Sequence, residues 1–108
     1  MPDVDISVRV VEYTGQIVAG GSRNALGVSR AASEDPAAYP LLAGVDELDD
    51  TIFNWRQSVV LIDELHRLAA ATQDPEVRAA AADIISLAEL LAPAPQRPHH
   101  RRLIFIGD

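Results

Sequence analysis

The chain has 108 residues, a net charge of −7 and no cysteine, which bounds it to one domain and excludes disulfides, thiolate metal sites and a cysteine nucleophile. All nine basic side chains are arginine, so every reaction that needs a lysine is excluded as well. No apolar run approaches the ~18–20 residues that span a bilayer, and the acidic opening Met1-Pro-Asp-Val-Asp5 is unlike the basic start of a signal peptide. A cytoplasmic protein is therefore expected.

Residues 3–12 alternate Val4, Ile6, Val8 and Val10 with Asp3, Asp5, Ser7 and Arg9. That period of two predicts a strand with one buried face. Thr14-Gly15 is a turn signal, and residues 16–19 are predicted to fold back as a second strand. Leu26, Val28 and Arg30 alternate weakly, which suggests a short third strand. Residues 31–45 read as a long loop with prolines at 36 and 40, pinned to the core by Tyr39-Pro-Leu-Leu42.

A helix is predicted over about 47–72, capped by Asp46 or Asp49. Steps of 100° place Trp55, Val59, Leu61, Ile62, Leu65, Leu68 and Ala69 on its apolar face. Arg56, Asp63, Glu64 and Arg67 lie opposite, with Asp63 and Arg67 spaced to pair. Phe53 and Val60 fall on the polar side, while Asn54 and Ser58 fall among the apolar positions and must find partners. Gln73-Asp74-Pro75-Glu76 restarts a helix over 75–92, with Asp74 as cap and Pro75 at the first helical position. Pro93-Ala-Pro-Gln-Arg-Pro98 is a stiff connector, and residues 103–107 are a strand, read from its continuous apolar run as buried on both faces. The predicted fold is α+β: a small, mostly antiparallel sheet built from both chain ends and packed against an antiparallel two-helix hairpin.

Val59-Val-Leu-Ile-Asp-Glu-Leu-His66 matches the magnesium-binding strand of a nucleotide hydrolase. Its partner motif needs a lysine on the phosphates, and the chain has none. The stretch also continues a helical pattern on both sides. Gly20-Gly-Ser-Arg-Asn-Ala-Leu-Gly27 is glycine-rich but lacks dinucleotide-binding spacing, so a hairpin or bulge is the better reading. Ser22 and Ser29 lack a nucleophile signature. His66 reads as a partly buried, hydrogen-bonded side chain, and His99-His100 as part of a basic edge with Arg97, Arg101 and Arg102. No catalytic residue, cofactor or metal site is assigned.

Six acids and no base lie between Arg30 and Arg56. A nucleic-acid binder carries the opposite balance, so the favoured partner is a basic protein surface. The contact surface is assigned to Glu34, Asp35, Asp46, Glu47, Asp49 and Asp50, with Tyr39, Phe53 and Trp55 as aromatic anchors. Two alternatives stand beside it. One is a small metal-dependent hydrolase using Asp46, Asp49, Asp50 and His66; the other is a scaffold subunit that oligomerises through the hairpin or a sheet edge.

Tyr39-Pro-Leu-Leu-Ala-Gly-Val-Asp46, Asp50-Thr-Ile-Phe-Asn-Trp-Arg-Gln57, Glu64-Leu65 and Leu103-Ile-Phe-Ile-Gly-Asp108 resemble segments of small uncharacterised actinobacterial proteins of the toxin-immunity kind. The resemblance implies protein binding; together with the acidic surface, the expected function is an immunity or antitoxin protein that neutralises a basic toxin. It carries over no residue roles.

Overall fold

A computed structural model describes residues 6–21, 24–95 and 100–107. Residues 3–5 of the predicted first strand, Ser22 and Arg23 of the glycine-rich stretch, 96–99 of the connector and Asp108 lie outside the described residues. Four strands form one antiparallel sheet and helices cover one of its faces, as the α+β reading expects.

β1 (Ser7–Val11) buries Val8 and Val10 and exposes Ser7 and Arg9, following the period of two. A turn at Glu12–Gln16 leads into β2 (Ile17–Gly21). Gly15 takes φ 92° there, a conformation that costs glycine nothing, and its N–H donates to the Glu12 carbonyl at 2.8 Å. The suggested third strand is instead helix α1 (Ala25–Ser33). Its buried residues, Ala25, Val28, Ser29 and Ala32, recur at i, i+3, i+4 and i+7. The alternation over residues 26–30 is too short to compete with that helical period.

The predicted loop 31–45 is shorter than expected, because α1 occupies its start and α2 (Pro40–Ala43) its end. Tyr39 and Leu42 are buried and do pin it to the core. The predicted helix 47–72 divides in two. β3 (Thr51–Phe53) comes first, and α3 (Trp55–Ala71) starts only at Asn54. Asn54, not Asp46 or Asp49, is the cap: its Oδ1 accepts from Gln57 N at 2.9 Å, while Gln57 Oε1 accepts from Asn54 N at 2.9 Å. This reciprocal capping box satisfies two of the backbone donors that a helix start leaves unpaired.

α4 (Pro75–Glu89) begins as expected, with Asp74 Oδ1 accepting from Glu76 N at 2.9 Å. It packs along α3, completing the helical hairpin. β4 (Arg102–Ile106) then inserts between β1 and β3, giving the order β2-β1-β4-β3. The reading of this strand as buried on both faces does not hold. Leu103 and Phe105 are fully buried, whereas Arg102 is exposed and Ile104 and Ile106 are half-buried. Helices cover only one face of the sheet, so alternate side chains of its central strand meet water. On the covered face Phe53 and Phe105 meet edge to face at 5.6 Å, joining β3 to β4 through their rings.

Candidate functional site

Residues 46–50 join α2 to β3 and form a short knuckle whose backbone is held at several points. Val45 is buried just before it. Asp46 N donates to Thr51 Oγ1 at 3.0 Å, which ties the start of the knuckle to the start of β3. Leu48 N donates to Asp46 Oδ1 at 2.8 Å, and Asp50 N to Asp49 Oδ1 at 2.7 Å. From the far end of β4, Gly107 N donates to the Asp49 carbonyl at 3.2 Å. A methyl group on Gly107 would land on the backbone of Asp49 and Glu47, so only glycine permits this approach.

The knuckle presents an apolar knob in an acidic setting. Leu48 is 74% exposed, and Ile52, on the outward face of the edge strand β3, is 49% exposed. Asp46, Asp49 and Asp50 are exposed and make no ion pair among the described residues. Glu47 is different. Its Oε1 accepts from Arg30 Nε at 3.0 Å, and that hydrogen bond, with the carboxylate's charge, raises the Arg30 pKa above its ordinary value.

The remaining sequence-assigned residues are dispersed. Glu34 lies one helical turn beyond Arg30, at the end of α1, and is exposed. Asp35 is also exposed, and its Oδ1 accepts from Ala38 N at 3.4 Å in the turn between α1 and α2. Tyr39 and Phe53 are core residues at 9% and 4% exposure, so neither ring is available on the surface as an anchor. The Arg67 guanidinium stacks over the Tyr39 ring at 5.4 Å and donates to the Ala38 carbonyl at 2.8 Å. Trp55 is half-buried beyond the opposite end of β3 from the knuckle, ~16 Å along the chain at strand rise from Asp50.

Three expectations for α3 are corrected. The buried face runs through Ser58, Leu61, Glu64, Leu65 and Leu68, which leaves Val59, expected on the apolar face, 51% exposed, like Val60 on the side expected to be polar. Glu64, expected on the polar face, is fully buried. Its carboxylate accepts from Leu41 N at 3.1 and 3.2 Å and from Leu42 N at 3.1 Å, serving the first turn of α2. His66 is exposed rather than partly buried, because the core side of the helix is taken by Glu64 and Leu65. Asp63 does pair with Arg67, at 3.0 Å. The stretch resembling a nucleotide-hydrolase strand lies wholly within α3.

Among the described residues no three or more histidine, aspartate or glutamate side chains gather closely enough to hold a metal ion, so Asp46, Asp49, Asp50 and His66 form no such group. Comparison with protein-family models, curated proteins and solved structures gives no match. Sequence reasoning found the acids of the knuckle but missed Leu48 and Ile52, which it had placed within a helix. The signal was local: an isolated leucine among four acids, followed by the alternating Thr51, Ile52 and Phe53.

Proposed function

We propose that this chain is a non-catalytic, acidic protein-binding module whose knuckle, residues 46–50, docks with Ile52 of the adjoining β3 on a basic protein surface. The observation that carries this reading is the exposed Leu48 knob among three carboxylates that make no ion pair among the described residues, on a backbone held by hydrogen bonds. A pre-formed loop loses little conformational entropy on docking, which supports useful affinity from a small contact. Desolvation of Leu48 and Ile52 supplies the apolar centre of the contact, and the acids around them favour a cationic partner and speed encounter. A partner of this kind suits an immunity or antitoxin protein that covers the basic active site of a toxin in the cytoplasm.

The test compares what the wild-type chain and two variants retain from a native lysate, with the retained proteins identified. Leu48→Asp removes the knob, and Asp46→Asn with Asp49→Asn and Asp50→Asn removes the charge. A basic protein held by the wild type and lost from both variants is the expected result. Retention of the same partner by both variants, or no stable partner for the wild type, overturns the reading.

A further inference from the structure

Beyond the other end of β3, the charge of the surface reverses. A cleft of about 430 Å³ opens where the start of α3, the end of α4 and the entry to β4 meet. A cleft of this size is in the range that holds small organic ligands. Its walls include Arg56, Arg101 and Arg102, and among the described residues no acid lines it. This is unexpected in a chain with 16 acids and nine arginines.

The three arginines are not equivalent. Arg101 is held in place: its guanidinium lies 3.2 Å from Glu12 Oε1 and donates to the Leu90 carbonyl at 2.9 Å. It shapes the wall and is largely neutralised by Glu12. Arg56 and Arg102 are exposed and make no ion pair among the described residues. Arg56 also sits in the first turn of the 17-residue α3, where the positive end of the helix dipole adds to its own charge. The rest of the lining combines an apolar wall, the half-buried Trp55 indole with Leu91 and Pro93, with two polar residues, the helix-capping Asn54 and the exposed His100.

We infer that this cleft binds a small anionic ligand. Its phosphate or carboxylate head is held by the guanidinium groups of Arg56 and Arg102, and its planar apolar body packs against Trp55, Leu91 and Pro93. Guanidinium groups offer paired donors to either oxyanion, so both heads share one recognition chemistry. The indole face and the proline ring suit a flat body. The site is independent of the knuckle and needs no protein partner.

Trp55 is the only tryptophan, so its emission reports on this cleft alone. The full-length chain is titrated at low salt with phenyl phosphate, benzoate and neutral phenol, exciting only the indole. A saturable emission change is expected with at least one of the two anions and not with phenol; which anion saturates identifies the head group. The Arg56→Gln, Arg102→Gln double variant changes two exposed side chains that make no ion pair among the described residues, and should keep the wild-type fold by circular dichroism. It should bind at least about tenfold more weakly, the loss expected for charge-assisted hydrogen bonds. Added salt should weaken wild-type binding in the same direction. No saturation with either anion by about 10 mM, an equal response to phenol, or unchanged affinity in the folded double variant overturns the inference.

Discussion

Two residues on the buried face of α3 show how polar groups in a core take opposite signs in stability. The Glu64 carboxylate is fully buried, yet it accepts N–H groups from both Leu41 and Leu42, so it serves α2 as a cap from another helix. Glu64→Ala would leave those donors unpaired in the interior and open a cavity. The expected loss is about 2–3 kcal/mol, read as a fall in melting temperature of roughly 10–20 °C. Glu64→Gln keeps one acceptor oxygen and should lose only about 1 kcal/mol. Ser58 has the opposite balance. Its Oγ is buried and finds no hydrogen-bond partner among the described residues. Ser58→Ala removes an unsatisfied hydroxyl and places a better helix former in α3. The variant should therefore be more stable by about 1 kcal/mol, with a higher midpoint in thermal or urea unfolding. A lower midpoint would show that the hydroxyl has a partner in solution. Neither role was legible in the sequence. A glutamate between Asp63 and Leu65 gives no sign that a helix start 22 residues upstream will supply donors to it. Ser58, by contrast, was legible as a polar group at an apolar position, although not as an unpaired one.

At the scale of elements, helices with strong local signals were legible and the short pieces were not. Asp74-Pro75 fixed the start of α4 because a capping side chain and a proline at the first helical position act within one turn. α3 carried an equally local signal, the Asn54–Gln57 capping box, but the acids at 46–50 competed for the same role. β3 was masked for a related reason. Three alternating residues ahead of an amphipathic helix blend into its periodicity, and only pairing with β4 makes them a strand. The capping box is what separates the two elements. Asn54→Ala is expected to cost about 1 kcal/mol and to fray the first turn of α3. Hydrogen exchange should show this as faster exchange at Gln57 and Ser58, while amides around Leu65 stay protected until global unfolding. Uniform acceleration across α3 would instead mean that the helix does not open from that end.

At the scale of the molecule, the sheet is completed from opposite ends of the sequence. β4 pairs with β1 in the register Ser7↔Ile106 to Val11↔Arg102, and with β3 from Thr51↔Phe105 to Phe53↔Leu103. It is therefore the strand through which the first hairpin and β3 are joined, and no sequence pattern could give that order, because pairing is a non-local choice. The same strand joins the two charged ends of the surface. Gly107, just beyond it, holds the acidic knuckle at Asp49, while Arg101, just before it, lines the cationic cleft and reaches Glu12. Removing residues 102–107 strips Leu103 and Phe105 from the core and leaves β1 and β3 with no partner between them. Two large buried side chains alone contribute about 3–6 kcal/mol, comparable to the whole stability of a domain this size. The truncated chain is expected to lack cooperative unfolding and dispersed amide proton shifts, although α3 and α4 keep local helical propensity. Adding residues 100–108 as a separate peptide should restore both signals if the strand's place between β1 and β3 is what organises the fold. A truncated chain that still unfolds cooperatively would show that β1, β2 and the helices form a self-sufficient core, and that β4 only decorates it.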